Sequence, residues 1–300
     1  MNIFIGTAGF SYPDWAGVVY PQDLKKRKVH PLEYLAQFID CCEINTSFYG
    51  HIRPSVGRAW CRTTASVNPD FQFTVKLFQG FTHLPRGMRP ASPFRLTVSA
   101  EDERWAREGI NSIAEEGKLG AVLIQFPVSF KNADDTRDYL FALISRFHEY
   151  PLVLEIRHQS WNDSDILSRL AETGVGFCNI DQPYLGQSLR ATEHVTAPVG
   201  YVRLHGRNYQ EWFQPEGRGN RNDRYNYLYK RPELEGWKER ITHIARQTEK
   251  TYVIANNHFK GQAPVNALEL KNMLSGKRVK APAPLIEHYP EQLSEIADAV

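Results

Sequence analysis

About eight short apolar runs, most of them separated by stretches with helical spacing, order this chain from end to end. The runs are Ile3–Gly6, Cys42–Asn45, Phe71–Lys76, Ala121–Pro127, Leu152–His158, Gly176–Asp181, Gly200–His205 and Thr251–His258. Helical patterns fall at Pro31–Ile39, where Leu32, Leu35, Phe38 and Ile39 share a stripe, and around Val56–Trp60. Others run from about Ser99 to Glu116, Asp134 to Glu149, Ser164 to Thr173 with Asp163 or Ser164 as N-cap, and Glu233 to Thr248. Asn266–Leu274 closes the series. Strands alternating with helices specify a parallel sheet covered by helices. No Gly-x-Gly-x-x-Gly follows the first strand, and so many units suit a closed (β/α)8 TIM-type barrel better than a doubly wound sheet. At 300 residues one α/β domain is expected. Residues 1–278 read as the barrel, and 279–300 as a Pro-rich link and a short C-terminal helix packed on it.

Bulk properties exclude several classes. The net charge of +2 argues against a chain that is basic overall, and Lys25–Lys28 reads as a solvated surface run. The four cysteines, Cys41, Cys42, Cys61 and Cys178, form no Cys-x-x-Cys pair, so neither a zinc ribbon nor a disulfide scaffold is indicated. The first residues carry no basic n-region, and no apolar run reaches the roughly eighteen residues of a membrane span. A cytoplasmic protein without a membrane partner is the expectation. Oligomeric state is not legible in the sequence.

Chemistry concentrates at the strand ends. In Leu152-Val-Leu-Glu-Ile-Arg-His158, a period of two puts Leu152, Leu154 and Ile156 on one face and Val153, Glu155 and Arg157 on the other. A carboxylate and a guanidinium on an apolar strand need partners. They form either a structural ion pair or the floor of a ligand site. The same pattern recurs: Glu43 with Asn45, Thr74 with Lys76, Arg203 with His205, and Asn256 with His258, joined at strand ends by Gln125, Asp181 and Asn257. Barrel active sites lie where those ends converge.

Lys76, Arg157 and Arg203 face the acids Glu43, Glu155 and Asp181 in this reading, leaving cationic surplus for an anion. After the seventh strand, Gly206–Phe213 carries Arg207, and Arg218, Arg221 and Arg224 precede Tyr225–Tyr229, a mixture suited to phosphates, stacked bases or sugars. The plain alternative is a solvated loop whose aromatics pack on the barrel. For an enzyme, Glu43 or Glu155 with His205 supplies acid–base chemistry of hydrolase or lyase type, while Asn256 and Asn257 orient the substrate. A divalent metal held among Glu43, Glu155, Asp181, His205 and His258 is the competing chemistry, a metal-assisted phosphodiester hydrolase. No His-x-His or His-x-x-x-His spacing supports it, and no cofactor is certain. Ser11, Ser47 and Ser160 lack the Gly-x-Ser-x-Gly context of a serine hydrolase. The expected partner is an anionic small molecule or a nucleic-acid segment. A non-catalytic binding protein is the third reading.

Spaced motifs then carry a resemblance. They are Gly6-Thr-Ala-Gly-Phe-Ser-Tyr12 with Asp14-Trp15 and Tyr20-Pro21, Glu43-Ile-Asn45 with Phe48-Tyr49, Phe71–Lys76, Thr82-His83 and Gln125-Phe-Pro127. Glu155-Ile-Arg-His158 with Ser160-Trp161, Val202–Arg207, Tyr225-Asn-Tyr227 and Asn256-Asn-His258 with Gly261-Gln-Ala263 complete the set. Over roughly Ile3 to Leu274 the chain resembles the YecE-like proteins, domain of unknown function 72. The resemblance implies a TIM barrel and leaves the chemistry to the residues. Ala8 and Phe10 stand where Ser and Trp are more usual, and Ala255 where an aromatic is common, so one pocket wall differs in shape.

Overall fold

The apolar runs become eight strands: β1 (Ile3–Ala8), β2 (Cys41–Ile44), β3 (Gln72–Lys76), β4 (Leu119–Gln125), β5 (Leu152–Glu155), β6 (Gly176–Asp181), β7 (Val199–Leu204) and β8 (Lys250–Ala255). In this computed structural model, which describes residues 1–85, 87–88, 93–212 and 221–300, each strand pairs in parallel with the next. β8 pairs back onto β1, so the sheet has no edge and the chain forms a single-domain (β/α)8 barrel. Closure demands a close approach at Gly6. A Cβ there would lie 1.7 Å from the Cys41 carbonyl oxygen on β2, so only glycine fits.

Register decides which side chains fill the lumen, because paired residues in a parallel ladder share a face. Ala8 pairs with Glu43, Glu43 with Thr74, Lys76 with Leu123, and Gln125 with Glu155. Cys178 pairs with Tyr201, Tyr201 with Tyr252, and Ile180 with Arg203. The N-terminal end of the lumen is aromatic: Phe4 stacks on Tyr252 at 5.2 Å between centroids, and Tyr252 lies 6.1 Å from Tyr201. Polarity rises toward the C-terminal mouth.

Helices cover the outside. Ala100–Ala114 starts at Ser99, whose hydroxyl accepts from the Asp102 N–H, with Glu101, Asp102 and Glu103 in the first turn where the helix dipole favours acids. Ser164–Glu172 is capped by Asp163, which accepts from the N–H groups of Asp165 and Ile166. Arg231–Ala245 buries Leu234, Trp237, Ile241 and Ile244. Several expected boundaries move, among them the end of the fifth strand, at Glu155. The first helix stops at Leu35, the last barrel helix begins earlier, at Gln262, and the eighth strand ends at Ala255. Beyond Ala255 the chain leaves the ladder and turns through Lys260 and Gly261, both at positive φ. The tail differs from one expected helix: Ala283–His288 and Pro290–Leu293 are helical, and Val279–Ala281 pairs in parallel with Ala297–Ala299. Among the described residues no helix is long and apolar enough to cross a membrane, and all four cysteines are free and buried.

Candidate functional site

Arg203 is the hub of the mouth. On β7, Tyr201 and Arg203 point into the lumen while Val202 and Leu204 pack outward, so alternation alone carries a guanidinium to the barrel axis. Arg203 is 1% exposed and donates to two fully buried carboxylates. Its Nη2 lies 2.6 Å from Glu43 Oε1, and its Nη1 donates to Glu155 Oε2. The remaining oxygens are also engaged. Tyr201 donates its hydroxyl to Glu43 Oε2 at 2.9 Å, backed by Thr74 Oγ1 at 2.7 Å from the Tyr201 hydroxyl. Arg157 Nε donates to Glu155 Oε1 at 2.8 Å, and His205 Nε2 sits 3.4 Å from that oxygen. Asn256 Nδ2 lies 2.9 Å from His205 Nδ1. Four strands meet through these contacts.

Burial would raise the Glu155 carboxyl, but Arg203, Arg157 and His205 outweigh it and hold it well below the usual carboxylate range. His205 is fully buried. Desolvation pushes it down to about 3, with Arg157 and Arg203 adding to the effect against Glu155, so it is neutral at physiological pH. Lys76 ends β3 on the lumen side, half-buried, with Nζ 3.8 Å from the Phe48 ring centroid. Among the described residues it has no carboxylate in ion-pair range. Burial, then the Arg203 charge, lowers it to about 7. His83, edge-on to Phe48 at 4.9 Å, is brought down to about 4 by burial and by Lys76 and Arg157. Two carboxylates therefore meet three cationic side chains, and Arg157 is 19% exposed at the open side.

Glu43, Lys76, Glu155, Arg157, Arg203, His205 and Asn256 thus lie together. Gln125 borders them, paired in register with Glu155, its Nε2 donating to the Phe126 carbonyl at 2.7 Å. Asn45 stands at the rim as the residue before the one-turn helix Thr46–Tyr49, and Tyr12 donates its hydroxyl to the Ala8 carbonyl at 2.5 Å.

Asp181 does not oppose the inner cations. Register turns it away from the lumen, where it accepts from Arg207 Nε at 2.9 Å, and Arg207 Nη1 reaches Glu233 Oε1 at 2.9 Å. Burial raises the Asp181 carboxyl despite Arg207. Asn257 holds the backbone together, donating to the Tyr227 carbonyl at 2.8 Å and to Asn266 Oδ1 at 2.7 Å. His258 lies at the rim, stacked on Tyr12 at 4.2 Å and near Tyr225 at 4.9 Å, its carbonyl accepting from Trp15 Nε1 at 2.7 Å. Burial lowers it to about 4. Asp181 and His258 lie apart from Glu43, Glu155 and His205, so the competing metal set is not brought together. Among the described residues no three His, Cys, Asp or Glu side chains could hold an ion together. In the loop after β7, Tyr209–Trp212 and Arg221–Tyr225 are short helices, and Arg218 lies outside the described residues.

Tyr12, His83 and Tyr201 were not among the expected site residues. Tyr201 was findable, two positions before Arg203 on the same strand face. His83 follows β3 in a loop that opens on the mouth.

Comparison with known proteins matches this architecture over nearly its whole length. The UPF0759 protein YunF of Bacillus subtilis (strain 168) is 29% identical over 284 residues, covering 91% of this chain and 94% of YunF. A crystal structure of a DUF72 family protein from Thermotoga maritima MSB8 is 33% identical, with a TM-score of 0.75 over 92% of this chain and 100% of that one. Another, from Enterococcus faecalis V583, shares the fold at 23% identity, with a TM-score of 0.75 over 91% of this chain and 95% of that one. The model of the protein of unknown function DUF72 matches residues 4–288, and this chain belongs to that family.

Proposed function

We propose that the barrel mouth binds the phosphate or carboxylate of a small molecule and performs acid–base chemistry of lyase or hydrolase type beside it. The supporting observation is the charge balance around Arg203. Glu43 and Glu155 have all four oxygens committed to Arg203, Arg157, His205 and Tyr201. Lys76 adds a positive charge that no described carboxylate neutralises. An incoming anion supplies the balancing negative charge in a site where water is scarce and charge–charge attraction is strong. Arg157 provides a planar fork for it.

Roles shift accordingly from the sequence reading. Glu43 and Glu155 act as positioning residues that hold Arg203 and Arg157, and His205 is a neutral brace between Glu155 and Asn256. Proton exchange near neutral pH falls to Lys76, which titrates at about 7, close to the optimum for such work. Calorimetric titration with phosphorylated sugars and small carboxylic acids tests the reading. At least one anion binds wild type and loses affinity tenfold or more in both Arg157→Ala and Lys76→Met. Unchanged affinity in both variants for every anion that binds removes the anion site.

A nucleic-acid segment is the second reading, supported by the rim cluster of Tyr12, His258 and Tyr225, in which His258 is buried against both tyrosine rings and the tyrosines are partly exposed. Short single-stranded oligonucleotides should then bind with a steep salt dependence that Tyr12→Ala weakens. A flat salt response removes it.

A further inference from the structure

Charge is unevenly divided between the two ends of this barrel. Seven connections run from a strand to the following helix at the mouth end: 9–30, 45–53, 77–99, 126–133, 156–163, 205–230 and 256–261. Counted over the described residues, they hold thirteen Lys and Arg against five Asp and Glu. The connections that return from a helix to the next strand, 36–40, 66–71, 115–118, 147–151, 173–175 and 246–249, hold two against six. A chain of net charge +2 therefore has a basic end at the mouth and an acidic end opposite. Each of the seven mouth connections carries at least one of the cations, so the basic character runs around the rim. At physiological salt, charges more than about 8 Å from a ligand are largely screened, and a small anion uses only those nearest it. A basic face this broad suits a ligand that carries charge along its own length.

Exposed aromatic surface lies on the same rim. Tyr184, just past β6, is 40% exposed, and Tyr209, after β7, is 49% exposed. The Tyr209 hydroxyl accepts from the Tyr184 N–H at 3.4 Å, which joins the two connections. Arg190 lies 4.4 Å from the Tyr184 ring centroid, and its Nη2 donates to the Tyr184 hydroxyl at 3.1 Å. The Asn132 N–H donates to Ser160 Oγ at 2.9 Å and the Gln159 N–H to the Gln187 carbonyl at 2.8 Å, so the connections after β4, β5 and β6 form one continuous arc. Lys131 is exposed on that arc. Among the described residues neither Arg190 nor Lys131 has a carboxylate in ion-pair range.

We propose that this arc of the mouth face docks single-stranded nucleic acid, with bases stacked on Tyr184 and Tyr209 and the phosphate backbone held by Arg190 and Lys131. This rests on the second, nucleic-acid reading above and gives the strand a platform other than the cluster of Tyr12, His258 and Tyr225. Exposed aromatic rings interleaved with unpaired cations are what an unpaired strand requires, since every base has a face to stack and every phosphate a charge to neutralise. An acidic protein segment would use the cations and leave the tyrosines without stacked partners. Duplex nucleic acid keeps its bases stacked on one another and would likewise leave the two rings unused.

The test is fluorescence anisotropy of the full chain with a short labelled oligothymidylate. Polyglutamate, charged but without bases, and vesicles of phosphatidylserine with phosphatidylcholine are the comparison probes. The expected result is that oligothymidylate binds at least tenfold more tightly than polyglutamate, and that Tyr184→Ala and Tyr209→Ala each weaken it fivefold or more. Arg190→Ala and Lys131→Ala should each make the logarithmic salt dependence shallower by about 0.7, the share of one phosphate contact on a single strand. Arg246→Ala, at the acidic end, should change neither quantity. Equal affinity for polyglutamate and oligothymidylate, or binding to the vesicles alone, overturns the inference. Oligothymidylate binding that keeps its strength in both tyrosine variants also overturns it. If Tyr12→Ala weakens binding in that case, the nucleic-acid reading stands and only this platform falls. If no oligothymidylate binds at all, both fall together.

Discussion

Two ionic clusters sit at the same end of this barrel, one inside it and one just outside, and their composition differs. Inside, Arg203 bridges Glu43 and Glu155, Arg157 joins from the rim, and Lys76 adds a further cation. Outside, Arg207 is shared by Asp181 and Glu233, and Tyr227 donates to Glu233 Oε1 at 2.7 Å. The outer cluster ties the loop after β7 to the helix Arg231–Ala245. At its start, Gly206 takes φ 88° and donates its N–H to the Tyr229 hydroxyl at 2.8 Å. It has more acid than base and closes on itself. The inner cluster is buried, is braced by neutral groups such as Tyr201 and Asn256, and carries a positive surplus when Lys76 is protonated. A staple and the proposed site use the same residue types; the sign of the excess charge separates them.

The largest expected contrast is in stability. Arg203→Met strands two buried carboxylates and should cost about 3–5 kcal/mol. Arg207→Met, on a partly exposed arginine, should cost about 1–2 kcal/mol, because water can solvate the remaining acids. Urea denaturation of both variants checks this, and equal losses would erase the distinction. Ligand binding should split the other way. Arg157→Ala should weaken anion binding tenfold or more while changing stability by no more than about 1 kcal/mol. Arg207→Ala should leave that affinity unchanged, a contrast that one calorimetric series can read.

Acid titration sharpens the comparison further. The folded pKa of His205, about 3, lies below its unfolded value, so the unfolded chain takes up the proton first as pH falls. Its contribution to stability is complete above about pH 6.5 and is lost between there and pH 3. That gives a slope approaching about 1.4 kcal/mol per pH unit for one proton. His205→Gln should flatten the acid limb of a stability–pH profile measured by denaturant midpoints. An unchanged limb would show that His205 does not carry it. The smallest effect belongs to Tyr227→Phe, which removes one hydrogen bond to Glu233 from the outer staple and should cost about 1 kcal/mol without altering anion binding.

Much of this was legible in the sequence, for reasons that also explain the misses. Alternation within Leu152–Glu155 and Val199–Leu204 fixes which side chains enter the lumen once the sheet closes, so Glu155 and Arg203 could be grouped from sequence, and Arg157 and His205, just past the strand ends, still reach Glu155. Asp181 could not be assigned the same way. It ends β6 one position out of phase with the lumen-facing Cys178 and Ile180, and its partner Arg207 comes from a loop. His258 was expected to share a face with Asn256, but the strand stops at Ala255, after which period-two reasoning no longer applies. Asn257 carries an amide like Asn256, yet it spends that amide on Tyr227 and Asn266, contacts that depend on how the helix Gln262–Ser275 packs. Lys76 had no local mark of its state. Its depressed basicity arises from burial that only the closed barrel creates, and then from Arg203, 127 positions further along the chain.

The central claim is that the inner cluster holds surplus positive charge for an anion. A pH titration of the Lys76 ammonium by NMR, in isotope-labelled protein with and without a bound phosphate ester, addresses it directly. The account predicts titration at about 7 in the free protein and an upward shift when the phosphate ester binds. A Lys76 that titrates like an exposed lysine and does not respond to the anion would contradict it.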